Sequence, residues 1–224
     1  MKSKHLIFII LCIVFADQAL KFYIKLHYYS GEEHKILGSW FRLHFVENEG
    51  MAWGWKFGGN IGKIILTLFR LVAVVWGSFL LKDFIVKKYH KGFIICAGLI
   101  YAGALGNLLD SMFYGLIFEN SDPFMNNIAK IFPKGGGYTS FLYGKVVDML
   151  YFPLIDTTYP TWLPFLGGKP FAFFEPVFNL ADASISIGVI VILLFQNVFF
   201  KKEEGQTKVE ETTTPNAEDI VQAS

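Results

Sequence analysis

Cysteine is scarce in this chain, and histidine stays out of its long apolar stretches. There are two cysteines among 224 residues. Cys12 and Cys96 each lie in an apolar run and read as small buried hydrophobes. Two such residues supply neither a disulfide framework nor a metal cluster. The five histidines, His5, His27, His34, His44 and His90, all avoid the interiors of those stretches. No His-Glu-x-x-His pattern occurs, and no serine sits in a triad pattern, so histidine-based hydrolysis lacks its residues. Charge is scarce as well. Asp, Glu, Lys and Arg make up 17% of the chain, against about 25% in a soluble domain. The formal net charge of +1 gives no reason to expect a nucleic-acid partner. What the chain has in excess is apolar surface, 53% hydrophobic residues with 24 Phe. That composition describes a small polytopic membrane protein built as one domain.

Residues 1–16 imitate a secretory signal peptide, and Ile9-Ile10-Leu11-Cys12 imitates a lipoprotein cleavage box. Helical patterning resumes through Leu20, Phe22, Ile24 and Leu26, so residues 6–26 are expected to be a first span. Residues 61–81, 92–118 and 177–200 supply three more. Gly98, Gly103, Ala104 and Gly106 give the third span a small-residue face for close packing. Lys63 is placed to snorkel to the interface, whereas Arg70, two turns deeper, needs a partner or water. Between the first two spans, residues 40–46 alternate as a half-buried strand does. They lead into a glycine-flanked turn at residues 48–55. Residues 119–143 and 156–176 are polar, or rich in proline and aromatics, and suit interfacial loops; Asp122 and Asp156 there read as solvated. Trp40, Trp53, Trp55 and Trp162 read as interfacial anchors. The expected architecture is mainly α, with four transmembrane helices, a small outer-face β-sheet element and interfacial loops. Residues 1–202 form this domain, and residues 203–224 are expected to be a disordered acidic tail. Lys2, Lys4, the loop from Lys82 to Lys91, and Lys201-Lys202 fall on one side. This places both termini in the cytoplasm.

Depth then becomes informative. At about 1.5 Å per residue, Asp17 lies about 20 Å outward along the first span. Asn107 and Asp110 lie about 21 and 25 Å along the third. Asp182 lies about 9 Å inward from Pro176. Asp17, Lys21, Asn107, Asp110, Asn179 and Asp182 therefore converge near the outer boundary, with Asp148 in an outer segment at similar depth. Read as one helix, Asn179, Asp182 and Ser186 share a face. Ionisable groups at membrane depth mark function. Two aspartates held close can share one proton, one acting as base toward water and the other donating to a carbonyl oxygen. This suits peptide-bond hydrolysis at the membrane surface. The rival reading is a small transporter or channel subunit with an acidic ion or proton relay. Such a relay spreads polar residues through the membrane depth, and the inner halves of the third and fourth spans are nearly uninterrupted apolar.

Five short motifs stand in order. They are Asp17-Gln18-Ala19-Leu20-Lys21; Asn48-Glu49-Gly50-Met51-Ala52-Trp53-Gly54; Gly106-Asn107-Leu108-Leu109-Asp110; Val146-Val147-Asp148; and Phe178-Asn179-Leu180-Ala181-Asp182. With them the chain resembles the bacterial lipoprotein signal peptidases (signal peptidase II), four-span aspartyl membrane peptidases. The resemblance implies that Asp148 and Asp182 are the catalytic pair. It implies that Asn48, Asn107, Asp110 and Asn179 line the site, and that Asp17 and Lys21 support it. The implied substrates are prolipoproteins cut before a diacylglyceryl-modified cysteine. The enzyme is expected to need no metal or other cofactor, and to work as a monomer in contact with membrane lipid, with its site toward the outer face of the inner membrane. Two departures stand out. The family commonly has Arg after the third-span Asp, where this chain has Ser111; Arg70 and Lys145 are the candidates to compensate. The gaps of 38 positions from Asp110 to Asp148 and 34 from Asp148 to Asp182 are longer than the family pattern, so extra outer material must fold around the site.

Overall fold

A computed structural model describes residues 3–49 and 59–201. Helix α1 covers Ser3–His27, α2 Gly59–Val86 and α3 Lys91–Leu109. A π-helical turn over Asp110–Tyr114 and a short α4, Gly115–Ile117, prolong α3. α1, α2 and the continuous stretch Lys91–Ile117 are each long and apolar enough to cross a membrane. Helix α5, Leu180–Leu194, has 15 residues, and α6, Gln196–Phe199, follows after a break at Phe195.

The fourth apolar segment therefore begins later than the hydropathy implies. Its first residues, Val177–Phe178, are strand β6 and not helix. β6 closes a four-stranded antiparallel sheet whose other strands are β1 (Glu33–Leu37), β2 (Phe41–Asn48) and β3 (Val146–Tyr151), in the order β1-β2-β3-β6. Strands β4 (Ile155–Thr158) and β5 (Pro170–Phe173) form a separate hairpin where the proline density suggests only a loop. Pro170 pairs at the first position of β5, where a missing N–H is tolerated. Of the turn expected over residues 48–55, Asn48 ends strand β2, while residues 50–55, including Trp53 and Trp55, and the tail 203–224 lie outside the described residues. So does the side chain of Asp156.

The sheet sits on the C-terminal ends of α1 and α3. Ile24, Tyr28, Phe45, Tyr114, Phe118, Val147 and Met149 form one core there. Successive strand side chains point to opposite faces, so Val147 and Met149 enter this core while Asp148, between them, is turned away from it. Further in, α3 is the hub on which α1, α2 and α5 all pack. A Cβ on Gly103 would run into the Ala181 carbonyl, and one on Gly106 would stand 2.9 Å from the Asp17 carboxylate. The absent side chains let α1 and α5 close on α3, which brings the polar residues of three helices together. Cys96 is buried as expected, whereas Cys12 is exposed on α1.

The π turn has an identifiable support. The segment 138–144 returns alongside it, with the N–H groups of Tyr138, Thr139, Leu142 and Gly144 donating to the carbonyls of Phe118, Gly115, Met112 and Ser111. These bonds satisfy carbonyls at a helix end that would otherwise lack partners. π turns inside helices frequently mark functional positions, and this one starts at Asp110.

Candidate active site

Asn179 is the residue on which the cluster turns. It is the N-cap of α5, with extended backbone (φ −119°, ψ 178°), and its side-chain oxygen accepts from the Asp182 N–H at 2.8 Å. An asparagine is favoured there because that N–H has no partner within the helix. Its amide nitrogen faces the other way and donates to Asp148 Oδ1 at 2.7 Å. It also meets Asn107 Oδ1 at 3.1 Å and the Val147 carbonyl at 3.3 Å. Asn107 donates to Asp182 Oδ1 at 2.7 Å. The two touching amides thus tie Asp148, from β3, to Asp182, from the first turn of α5. Asn48, at the end of β2, holds the remaining Asp148 oxygen, Oδ2, at 3.2 Å.

Behind the amides lies a closed ionic cluster. Lys21 is fully buried, and its ammonium meets Asp17 Oδ2 at 2.9 Å, Asp110 Oδ2 at 2.7 Å and Asn107 Oδ1 at 3.0 Å. An ammonium has three donors, and all three are used. The acids spend their other contacts on backbone and amide. Asp17 Oδ1 accepts from the Ala181 N–H at 2.9 Å, which fixes the start of α5. Asp110 accepts from Gln18 at 2.7 Å and, at 3.4 Å, from the Val147 N–H beside Asp148. Buried charges persist when they are paired and fully hydrogen-bonded, and this set is.

The electrostatics separate the two classes of acid. Asp17 and Asp110 are bound to Lys21. Asp148 is 3% exposed and has no cation in contact among the described residues. Burial, and next the charge of Asp182, push its carboxyl up to about 7, against the downward pull of Asn48, Lys21 and Asn179. A carboxyl that keeps its proton near neutrality can donate it.

All eight residues expected at the site therefore meet in one network: Asp17, Lys21, Asn48, Asn107, Asp110, Asp148, Asn179 and Asp182. The shared helix face does not hold. Asn179 is a cap outside the helix, and Ser186 is exposed, away from the cluster. Tyr114 escapes the motif reading, and Gln18, which stands in the first motif, was given no role by it. Gln18 bridges Asp110 and, through Oε1, accepts from the Tyr114 hydroxyl at 3.1 Å. The spacing Asp110-x-x-x-Tyr114 on a helical segment was the available signal. Of the two cations proposed to offset Ser111, Arg70 reaches it, its Nη1 donating to Ser111 Oγ at 3.1 Å, and Ser111 Oγ in turn donates to the Asn107 carbonyl at 3.0 Å. Asp182, Asp110 and Asp148 are the acids whose charges act on Arg70. Lys145 instead binds Glu47, on the other face of β2. Asp122 caps a local turn, accepting from the Phe124 N–H, as a loop carboxylate does.

Residues 9–199 match the family described as signal peptidase (SPase) II. A lipoprotein signal peptidase of Porphyromonas gingivalis is 42% identical over 219 residues, covering 97% of this chain and 94% of the relative. One from Amoebophilus asiaticus is 36% identical over 192 residues, covering 83% and 75%. Among solved structures, a bacterial membrane enzyme determined by the in meso method at 2.3 Å resolution superposes with a TM-score of 0.55. It is 24% identical and covers 92% of this chain and 96% of its own, a likeness of fold.

Proposed function

The chain belongs to the signal peptidase II family, and on that premise we propose that Asp148 and Asp182 are the pair with which it cuts prolipoproteins. The family makes it an aspartic-type peptidase of the bacterial inner membrane that acts on lipoprotein precursors. One observation carries the assignment of the pair. Asn107 and Asn179, in contact at 3.1 Å, each hold one of the two carboxylates at 2.7 Å.

In the mechanism, the pair shares one proton, which resides on Asp148. Asp182 takes a proton from water as the water oxygen attacks the scissile carbonyl carbon. Asp148 gives its proton to the carbonyl oxygen, so the tetrahedral intermediate forms as a neutral diol. Collapse breaks the C–N bond. One hydroxyl proton of the diol returns to Asp148, and the proton held by Asp182 passes to the leaving amine. The titration belongs to the pair as a unit. Asn48, Asn107 and Asn179 fix the carboxylates, and the Lys21 cluster fixes the two elements that carry them.

The substrate is cut before a diacylglyceryl-modified cysteine, with α5 and α6 together making the fourth crossing. Lys82, Lys87, Lys88, Lys91 and Lys201 collect at the helix ends remote from the sheet. By the positive-inside rule this supports termini in the cytoplasm and the pair at the outer face. Arg70 fills the place of the arginine absent at Ser111 and contacts substrate there. A relay for ions gains nothing from the closed Lys21 cluster, whose donors are all engaged. The test is mass spectrometry of the products from a diacylglyceryl-modified precursor and its unmodified counterpart. Cleavage of the modified form alone, leaving the lipidated cysteine as the new N-terminus, is the expected outcome. Equal cleavage of both forms overturns the substrate assignment.

A further inference from the structure

Asn48 and its neighbour Glu47 point to opposite faces of β2. Asn48 serves Asp148, and Glu47 serves a second polar cluster outside the peptidase site. There Glu47 is shared by two ammonium groups. Fully buried Lys25 contacts one oxygen, and Lys145 stands 3.1 Å from the other. Lys145 extends to Asn120 at 3.5 Å and lies over the Tyr138 ring.

Beside this cluster, at the outer end of α2, opens a cavity of about 590 Å³. Lys63, Lys145, Asn60, Asn120, Tyr138 and Glu49 are among the residues that line it. Lys63 does not snorkel outward. It is 6% exposed, and among the described residues its ammonium makes no hydrogen bond or ion pair. Glu49 and Glu47 act on it through space only. Three lysines (25, 63 and 145) against two glutamates (47 and 49) leave this region one positive charge in excess. The first turn of the 28-residue α2, at Asn60, adds backbone N–H groups without helical partners. The Lys63 side chain is buried while its ammonium opens on the cavity, where an oxyanion would give it a counter-charge.

The opposite side of the same helix end identifies the source of the anion. Ile61, Ile65 and Phe69 are 70%, 61% and 68% exposed and form an i, i+4, i+8 stripe. In a membrane that stripe meets acyl chains. We propose that this cavity binds the phosphate of an anionic phospholipid. Lys63 and Lys145 hold the headgroup, and the acyl chains lie along Ile61, Ile65 and Phe69. The proposal uses neither Asp148 nor Asp182, so it stands or falls separately from the peptidase mechanism.

The test uses the full chain purified in a zwitterionic detergent. Native mass spectrometry follows its retention of phosphatidylglycerol against phosphatidylcholine, with inorganic phosphate as competitor. The wild type is expected to prefer phosphatidylglycerol, and phosphate is expected to displace it. Lys63→Gln weakens retention about fivefold, the worth of one lysine near an anionic surface. Glu49→Gln, which removes the competing carboxylate, strengthens it. The Glu49 variant keeps the test decisive should the Lys63 variant fail to fold. Precursor cleavage by folded Lys63→Gln in the zwitterionic detergent stays at the wild-type rate. Equal retention of the two lipids by the wild type, with or without binding of free phosphate, overturns the proposal. So does unchanged retention in folded Lys63→Gln or in Glu49→Gln.

Discussion

Replacing Asp148 by Asn should destroy activity and yet stabilise the fold, and the sign depends on pH. Burial, and next the charge of Asp182, push the Asp148 carboxyl up to about 7 in the folded protein, against about 3.9 in an unfolded chain. Its folded value is raised, so between those two pH values the folded state binds the extra proton. Stability contributed by this group is therefore lost as pH rises from about 4 to about 7. The gap of about 3 units corresponds to about 4 kcal/mol at pH 8. Asparagine cannot ionise and escapes that penalty. It also turns one accepting oxygen into a donor facing Asn48 or Asn179, which costs about 1 kcal/mol. Asp148→Asn is therefore expected to gain about 3 kcal/mol at pH 8 and almost nothing at pH 4 to 5. Unfolding in detergent micelles, followed at both pH values, measures it. A variant less stable than wild type at pH 8, or a gain that does not change with pH, would refute the argument that burial and Asp182 hold the proton on Asp148.

Other consequences follow from the same contacts. Lys21→Met strands two buried carboxylates and should cost about 3–5 kcal/mol, read as a lowered unfolding midpoint; a loss under about 1 kcal/mol would mean the cluster is not closed as described. Asn179→Ala removes a helix cap worth about 0.5–2 kcal/mol together with the bond to Asp148. Misplacement of the carboxylate should lower kcat by about 10²-fold, and steady-state cleavage separates the two effects. Arg70→Gln should raise KM about tenfold, the loss of one charge-assisted contact, whereas Ser111→Ala should change kcat/KM less than about fivefold. The exchange variant Arg70→Ser with Ser111→Arg should recover most of the loss, and failure to recover any would remove Arg70 from the substrate contact.

The membrane character and the level of the site were legible in the sequence because helix rise converts residue number into depth. That arithmetic put Asp17, Lys21, Asn107, Asp110, Asn179 and Asp182 at one level, and the structure joins all six. What it could not supply was direction at the ends of elements. Asn179 looked like the first residue of a helical face that continued to Ser186, but β6 pairs with β3 and the helix begins only at Leu180, which makes Asn179 a cap. The π turn at Asp110–Tyr114 was invisible for a similar reason. It depends on hydrogen bonds from residues 138–144, nearly thirty positions on. Lys63 looked like an interfacial lysine because periodicity does not report which side of a helix end the sheet will cover. The hairpin β4–β5 hid behind its prolines.

The pairing of Asp148 with Asp182 is the central claim, and cleavage of a diacylglyceryl-modified precursor by purified Asp148→Asn and Asp182→Asn tests it most directly. Both variants are expected to stay folded and to lose cleavage by at least about 10³-fold, as the loss of either half of a proton-sharing pair requires. Wild-type turnover by either folded variant would contradict the account.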